Sequence, residues 1–438
     1  MKSRADIIGA GPGGLAAAWR LSQLRPDLEL HVWDRDTSPG GLAGSFETAD
    51  FRVEKFYHHI FRRDTAIQAL IAEMGLQDAL QWRAAATGSY YLRQPYRLST
   101  PLDVLRFSPL GLVDRFRLGW LALHARTVRD WERLDDLSVR AYIVRVAGQR
   151  VYEVVWEPLL RGKFGPYADT VSAAWLWRKL VERGGSRNNQ GAEYLGYLQG
   201  GMGRLFEEVA DRLRAAGHHL HLGTSVRRLH ADGGRIMALE TDTGLIPTDG
   251  VIATCQLPDL IPMLPPDRPD YAEQLREIGF LGNVCLVLSL SDSLSRFYWT
   301  NITDPEAPFV GVIEQTNWAD PAAFNQRRLV YISAYTPPDD PRMGWDAQTL
   351  LAAYMPWLKR LFEGFDPATV LDAWVWKSAA AQPVVTCGYR KRVPAHTTPW
   401  PNLWLCTMAQ IYPSDRQVSN GIGLGYHTAE LAAAGLSS

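Results

Sequence analysis

The chain has 438 residues, of which 46% are apolar and 21% are charged, and its 46 lysines and arginines nearly balance 47 aspartates and glutamates. This composition predicts a globular protein of two or three domains and excludes the basic excess that is typical of nucleic-acid-binding proteins. The four cysteines are widely separated and have no CxxC spacing, which excludes a disulfide framework and a cysteine metal site.

A glycine-rich turn connects the first predicted strand to the first predicted helix, and the glycines follow the spacing GxGxxG. Gly9 permits the tight turn, Gly11 lets the backbone approach a pyrophosphate, and Gly14 lets the helix pack closely on the strand. The beginning of the helix, which includes Pro12 and Gly13, presents free N–H groups and a partial positive charge to a diphosphate. The pattern predicts a dinucleotide site.

The second predicted strand ends directly before Asp34, which is followed by Arg35. Asp34 lies 20 residues after Gly14, where a carboxylate can accept hydrogen bonds from ribose hydroxyls. A second glycine cluster with the pattern GGxxG follows and adds three candidate cofactor residues, Gly41, Leu42 and Gly44. A nicotinamide site needs no second cluster, whereas this pattern is similar to that of flavoproteins, in which the second loop passes along the pyrophosphate. The alternatives are a site for NAD alone and a purely structural turn.

Residues 51–61 read FRVEKFYHHIF and contain two adjacent histidines. With the glycine clusters and the segments described below, the chain resembles the amine oxidase/protoporphyrinogen oxidase/phytoene desaturase superfamily of FAD enzymes, and the histidine segment is similar to that of UDP-galactopyranose mutases. His58 and His59 are therefore the candidate catalytic residues, because imidazoles with a pKa near ~6.5 can carry protons beside a flavin. The alternative is that they are packed or surface histidines. By strand alternation, Lys55, Tyr57 and His59 would share one face.

An amphipathic helix is predicted over residues 112–131. Its apolar stripe, formed by Leu112, Phe116, Trp120 and Leu123, would suit either a packed helix of a substrate domain or a helix that lies on a membrane surface. We favour the packed helix, because anionic lipid would repel the four acidic residues at and after the end of the helix. These residues are Asp130, Glu132, Asp135 and Asp136. Residues 156–165 are predicted to form a loop around Pro158, in which Arg161 and Lys163 are candidates for holding an anionic substrate.

The remaining cofactor residues are implied by the resemblance. After a helix and strand near residues 200–222, the backbone of Val226 would pair with the adenine edge. At the C-terminal end, Asp415 would contact the ribityl chain or the pyrophosphate. The amides of Gln417 and Val418, at the start of the last helix, would face flavin O2, where a positive helix end stabilises a reduced flavin.

These observations predict an α/β fold with a Rossmann-like (glutathione reductase-type) FAD-binding domain assembled from separate chain segments, residues 1–85, 200–255 and 385–438. An interleaved α+β substrate domain is predicted to consist of residues 86–199 and 256–384. We expect non-covalent FAD, because no cysteine or histidine stands where a flavin linkage is expected, and we expect no metal.

The function favoured by the sequence is that of an FAD-dependent oxidoreductase that takes a hydride from a small metabolite onto flavin N5. The alternative is a sugar mutase that works with reduced flavin and resembles UDP-galactopyranose mutase. A catalytically inactive flavoprotein is a third reading. We expect a small-molecule substrate, no nucleic acid, no integral membrane span because no apolar run approaches roughly 20 residues, and a cytoplasmic location. The sequence does not specify the oligomeric state.

Overall fold

The computed structural model describes residues 3–91, 94–98, 100–184 and 194–436, which form a mixed α/β fold. The predicted segments 1–85, 86–199 and 385–438 also include residues 1–2, 92–93, 99, 185–193 and 437–438, which lie outside the described residues. None of the described helices is both long enough and apolar enough to cross a bilayer.

The described residues form twenty strands: β1 (Arg4–Ile8), β2 (Glu29–Asp34), β3 (Ser45–Glu47), β4 (Arg52–Glu54), β5 (Ile60–Phe61), β6 (Leu80–Ala84), β7 (Thr87–Tyr91), β8 (Gln94–Arg97), β9 (Tyr194–Leu198), β10 (His219–Leu222), β11 (Val226–Asp232), β12 (Arg235–Thr241), β13 (Gly244–Pro247), β14 (Gly250–Ala253), β15 (Phe280–Leu290), β16 (Trp299–Ile302), β17 (Gly311–Glu314), β18 (Arg328–Thr336), β19 (Val370–Pro383) and β20 (Leu403–Leu405). The α-helices are α1 (Pro12–Leu24), α2 (Thr65–Glu73), α3 (Pro101–Arg106), α4 (Leu112–Thr127), α5 (Val139–Ala147), α6 (Gln149–Val151), α7 (Glu157–Phe164), α8 (Ala173–Gly184), α9 (Met202–Ala215), α10 (Leu257–Leu260), α11 (Pro269–Arg276), α12 (Ala347–Leu361) and α13 (Val418–Gly435).

The first sheet is parallel and has the strand order β10-β2-β1-β14-β20. Ile8 pairs with Trp33, so the glycine turn after β1 and the carboxylate at the end of β2 meet at the same edge of the sheet. Helices α1 and α13 pack against each other so closely that a Cβ at Gly425 would lie 2.3 Å from the carbonyl oxygen of Gly13. The carboxyl edge of a parallel sheet is where ligands of such folds bind.

The second sheet has seven strands in the order β19-β15-β18-β17-β16-β7-β8, and every pair except β16–β7 is antiparallel. Strand β15, which pairs with β19 and β18, is buried along its whole length, as expected of a strand covered on both faces. Helix α12 contributes Leu350, Tyr354 and Leu358 to the core on one face. This sheet therefore forms a second layer with its own core.

Two predictions about local structure are wrong. Residues 156–165 are not a loop, because they contain helix α7, in which Pro158 lies in the first turn where no N–H is needed. Residues 55–59 are not a strand, because they connect β4 to β5, so the alternation of Lys55, Tyr57 and His59 does not apply. The loop prediction for residues 156–165 was wrong because glycine and proline can stand at the ends of a helix as well as interrupt one.

The prediction that the apolar stripe of α4 is packed in the core is also wrong. Leu112, Phe116, Trp120 and Leu123 are exposed, with 68% of the surface of Leu112 and of Phe116 accessible. The helix is held instead by its opposite face, on which Leu121 and Ala125 are buried. The apolar residues do lie on one side of a helix, but their spacing alone does not determine whether that side packs against the rest of the protein or faces solvent.

We expect Glu54→Gln to stabilise the protein at pH 8 and to have little effect at pH 4. Burial in β4 raises the pKa of Glu54 to about 7 from 4.5, although the Met202 amide and the Gln315 side chain both donate hydrogen bonds to its carboxylate. The unfolded chain therefore loses this proton at lower pH than the folded chain, and the free energy of unfolding falls as pH rises through this window. The expected gain at pH 8 is up to about 3 kcal/mol.

Urea denaturation at pH 4, 6 and 8 measures this difference directly. The control is Glu240→Gln, because Glu240 is half exposed and pairs with His230 at the surface. A stability difference between wild type and Glu54→Gln that is the same at all three pH values would contradict the prediction.

Candidate active site

A large cavity of about 1580 Å³ lies between the carboxyl edge of the parallel sheet and the seven-stranded sheet. Small-molecule sites usually have roughly 300–1,000 Å³, so this cavity can hold a dinucleotide together with a substrate. Its lining includes fifteen of the sixteen candidate catalytic and cofactor-binding residues: Gly9, Gly11, Pro12, Gly13, Gly14, Asp34, Arg35, Gly41, Leu42, His58, His59, Val226, Asp415, Gln417 and Val418.

The glycine turn is shaped by two close contacts and leaves one open space. Gly9 has a φ of +111°, and a Cβ at Gly14 would lie 1.8 Å from the carbonyl oxygen of Gly9, so neither position accepts a larger residue. At Gly11, in contrast, no described atom would lie within 4 Å of an added Cβ. The backbone at Gly11 therefore borders an open part of the cavity, which fits the approach of a diphosphate at the start of α1.

Asp34 is held in place by the backbone of the two neighbouring loops. Its Oδ2 accepts a hydrogen bond from the amide of Ala10 at 2.6 Å, and its Oδ1 accepts one from the amide of Asp36 at 2.8 Å. Burial raises the pKa of Asp34, and these two N–H groups act in the opposite direction. Arg35 lies beside it and pairs with Asp259 at 3.2 Å. Asp34 therefore presents a fixed acceptor to the cavity.

The second glycine cluster packs directly on the first. The amide of Gly40 donates to the carbonyl of Ala10 at 2.8 Å, and a Cβ at Gly41 would lie 3.3 Å from Cα of Gly11. Leu42 lines the cavity, but Gly44 is not among the described residues that do so. The amide of Gly44 instead donates to the carbonyl of Gly41 and closes the turn. The structure gives Gly44 a role in shaping the loop and no cavity contact.

Val226 and the start of α13 complete the predicted set. Val226 begins β11 and is buried at the cavity wall. Helix α13 has 18 residues and begins after Gln417, whose side chain makes no capping hydrogen bond. The first N–H groups of such a helix lack partners within the helix and carry a partial positive charge. Gln417 and Val418 therefore bring a positive helix end to the cavity.

Asp415 is engaged by two lysines, which the sequence did not indicate. Its carboxylate accepts hydrogen bonds from Lys163 at 2.9 and 3.0 Å and from Lys179 at 2.6 Å. Burial opposes ionisation, but the two lysines outweigh it and hold the pKa of Asp415 well below its usual value. Arg161, the other predicted cation, is outside the lining described here and pairs with Glu157.

Arg416 is a cavity residue that the sequence did not single out. Its side chain donates to Gln382 at 3.0 Å and to the Tyr335 hydroxyl at 2.7 Å. Among the described residues it forms no ion pair within 4.0 Å, although it lies next to Asp415 in sequence. A guanidinium with neutral partners at a cavity wall is suited to an anionic group of a ligand. No sequence motif marks it, because its partners come from β18 and β19.

The two predicted histidines both line the cavity, together with Lys55, Phe56 and Tyr57. His58 makes a hydrogen bond from Nδ1 to the carbonyl oxygen of Phe56 at 2.9 Å, which leaves Nε2 as an acceptor. Burial lowers the pKa of His58 to about 4, and Arg416 adds to this effect, so the imidazole is neutral at pH 7. His59 instead contacts the hydroxyl of Tyr298 through Nδ1, at 3.1 Å.

A group of three potential metal ligands lies outside the cavity. Glu29, His31 and His219 bring ligand atoms within 4.8 Å of one another where β2 meets β10. Glu29 is hydrogen-bonded to His31 at 3.0 Å and lies 3.2 Å from His219. The contact between Glu29 and His219 joins β2 to β10 in the parallel sheet.

The fold and this cavity define a class of protein: an α/β protein with a glycine-rich dinucleotide turn at the carboxyl edge of a parallel sheet and a second sheet over the same cavity. The model of the family "Flavin containing amine oxidoreductase" matches residues 12–414, and the chain belongs to this family. Family membership implies a flavin cofactor. The resemblance to this superfamily that was predicted from the sequence is confirmed.

The chain is similar to several named relatives. It is 28% identical over 199 residues to a coproporphyrinogen III oxidase of Staphylococcus aureus, covering 42% of this chain and 41% of that protein. It is 27% identical over 300 residues to a phytoene dehydrogenase of Streptomyces griseus, covering 58% and 54%. The chain thus spans about half the length of these curated relatives.

Two solved structures share the whole fold. A putative protoporphyrinogen oxidase from Exiguobacterium sp. 255-15 superposes with a TM-score of 0.78 at 16% identity, covering 99% of each chain. A reduced UDP-galactopyranose mutase superposes with a TM-score of 0.76 at 14% identity, covering 98% of this chain and 95% of the mutase. At these identities the likeness concerns the fold alone.

Proposed function

We propose that the chain is an oxidoreductase that binds FAD non-covalently and oxidises a small metabolite. When bound, FAD would supply the acceptor of a hydride, at flavin N5. The observation that carries the proposal is the open space over Gly11, which lies in one cavity with Asp34 and the positive end of α13. These are the groups that a pyrophosphate, a ribose and a flavin ring require.

Within this proposal, different parts of the cavity wall would bind different parts of FAD. The turn from Gly9 to Gly14 would hold the pyrophosphate, with Asp34 on the ribose and Val226 at the adenine. The amides at Gln417 and Val418 would face the flavin pyrimidine. Asp415 is engaged by Lys163 and Lys179, so we assign it to fixing the entry to α13 rather than to a direct cofactor contact.

We further propose that the molecule is divided as the sequence indicated. All five strands of the parallel sheet come from residues 1–85, 200–255 and 385–438, which would form the Rossmann-like FAD-binding domain. All seven strands of the second sheet come from residues 86–199 and 256–384, which would form the substrate domain. The small sheet β5-β9-β6 joins the two sets.

The substrate would lie between the histidines and the second sheet. Aromatic residues of the lining, Tyr57, Trp299, Tyr335 and Trp376, favour a ring-containing substrate. Arg416 favours an anionic group on it, because its hydrogen-bond partners are neutral. His59 and the neutral His58 would hold or move a proton at the reacting carbon or its neighbouring heteroatom.

A second candidate is a sugar mutase that uses reduced flavin. It is favoured by the cations at the cavity wall, Lys163, Lys179 and Arg416, which could hold a nucleoside diphosphate. Under this alternative no electron acceptor is consumed.

Absorbance spectroscopy tests the proposal, together with activity assays of the oxidised and of the dithionite-reduced protein. We expect purified protein to contain releasable FAD, and we expect one class of compound to bleach it anaerobically. Amines, carboxylated tetrapyrrole precursors, polyprenoids and nucleotide sugars form the panel. Product formation only with dithionite-reduced protein and a nucleotide sugar would favour the mutase. Protein that contains no flavin and takes up no FAD would overturn both functions.

A further inference from the structure

Seven exposed apolar side chains are clustered on the two consecutive helices α3 and α4. They are Leu102, Leu105, Leu112, Val113, Phe116, Trp120 and Leu123, and we call them the apolar face. They account for seven of the twelve exposed large hydrophobic side chains of the described residues, within only 22 positions of the chain. Such clustering on one surface marks an interaction site.

The apolar face is not needed to hold α4 in place. The opposite side of the helix is anchored by Leu121 and Ala125, which are fully buried. The indole of Trp177 donates to the carbonyl of Ala125 at 2.8 Å. Arg115 ties α3 to α4, because it donates to the carbonyls of Leu105 and Leu110 at 2.7 and 2.8 Å. The exposed side chains are therefore presented by helices that are anchored through other residues.

The surroundings of this face are basic although the chain as a whole has a net charge of −1. Residues 97–129 contain six arginines and two aspartates, an excess of four positive charges. Both aspartates are paired with arginines of the same segment, Asp103 with Arg97 at 3.5 Å and Asp114 with Arg117 at 3.2 Å. An amphipathic helix with arginines around an apolar stripe suits an anionic lipid surface.

The acidic residues that follow α4 do not oppose this interpretation. Asp135 is buried and accepts a hydrogen bond from Tyr412. The other three are paired with cations: Asp130 with Arg133 at 2.8 Å, Glu132 with Arg390 at 2.9 Å, and Asp136 with Lys391 at 3.8 Å. The repulsion expected from the sequence is therefore reduced by one local ion pair and by two ion pairs with distant residues.

The cavity opens at the apolar face. Leu105, Phe116, Trp120 and Leu123 are exposed members of this face, and the same four side chains line the cavity. The apolar face and the wall of the cavity therefore share side chains of helix α4. A molecule dissolved in a bilayer would reach the cavity from there without crossing water.

We propose that the apolar face docks on an anionic lipid bilayer and that the cavity receives a lipophilic or amphipathic substrate from that bilayer. The second part rests on the proposed oxidoreductase function, whereas docking itself does not. A second copy of the chain is the less suitable occupant, because a twofold interface would bring the same basic surface against itself. The face inserts side chains between lipids, and α4 lies parallel to the membrane.

Vesicle co-sedimentation of the FAD-loaded protein tests the docking. We expect binding to vesicles of phosphatidylcholine with 30% phosphatidylglycerol, and weaker binding to phosphatidylcholine alone or at high salt, by roughly fivefold for each arginine engaged. Leu112→Ser with Val113→Ser should lower the binding at least tenfold, and neither residue is among the described cavity residues. The matched control is Met237→Ser with Leu245→Ser, because these residues are 50% and 63% exposed on a different surface.

Fluorescence tests the orientation of the cavity mouth. Lipids brominated on the acyl chain should quench part of the tryptophan emission. In the Trp120→Phe variant this quenching should be absent. Three results would overturn the proposal: no binding to either vesicle, equal loss of binding in the control double variant, or a stable dimer in lipid-free solution that Leu112→Ser with Val113→Ser dissociates. Loss of FAD from wild-type protein would instead contradict the proposed function, whether or not vesicles bind.

Discussion

Replacing Gly11 by valine is expected to give a folded protein that is colourless. Gly11 has a φ of −78° and a ψ of −177°, which valine adopts without strain, and no described atom lies within 4 Å of the added Cβ. The valine methyl groups would therefore enter only the open space that we assign to the pyrophosphate. The flavin-to-protein ratio from the visible absorbance should fall from near one to near zero, while the circular dichroism spectrum stays unchanged.

Two other glycine variants provide the comparison for Gly11→Val. Gly344→Val should keep its flavin, because Gly344 lies outside the described cavity lining and an added Cβ there meets its nearest atom at 3.5 Å. Gly14→Val should fail to fold, because its Cβ would collide with the backbone of Gly9 at 1.8 Å. If Gly11→Val retained a full complement of FAD, the pyrophosphate would have to be bound elsewhere.

His59→Ala should lower turnover by tens- to thousands-fold and leave the flavin content intact. Both histidines line the cavity, but burial lowers the pKa of His58 to about 4, which makes it a weak base at neutral pH. His59 is bonded through Nδ1 to the Tyr298 hydroxyl, and its loss should remove a general acid–base contribution of about 10²–10⁴. Anaerobic flavin reduction by the identified substrate measures the effect on the chemical step.

His230→Ala is the matched control, because His230 pairs with Glu240 at the surface and is outside the described cavity lining. Tyr298→Phe removes the hydroxyl that orients His59 and should have a smaller effect than His59→Ala, since a single hydrogen bond is worth about 1 kcal/mol. Parallel losses of flavin and of turnover in His59→Ala would show that this histidine supports the structure and not the reaction.

Much of the cofactor end of the site could be read from local sequence. The glycine spacing before α1, the carboxylate after β2 and the glycine cluster before β3 each depend on a few neighbouring residues, because a tight turn or a close backbone approach demands glycine locally. Fifteen of the sixteen predicted catalytic and cofactor-binding residues line one cavity, although they come from both ends and the middle of the chain. Only Gly44 does not, because it closes the turn beside the cavity.

The substrate end could not be read in the same way. Lys179 and Asp415 are 236 positions apart, and Arg416 meets Tyr335 and Gln382 only when β18 and β19 lie beside the start of α13. No periodicity or motif in the sequence indicates these tertiary contacts. The pKa of His58 likewise follows from the residues that surround it and not from its own segment.

The amino-acid sequence by itself determined the family, the dinucleotide turn, the strands and helices with strong periodicity, and the presence of an apolar stripe on α4. Only the tertiary structure decided that this stripe faces outward, that acidic Glu132 and Asp136 are neutralised by Arg390 and Lys391, and that Arg416 reaches the cavity. The physical reason is the range of the interactions. Turn geometry and helical period act over a few residues, whereas burial, ion pairing and desolvation depend on which distant segments the folded chain brings together.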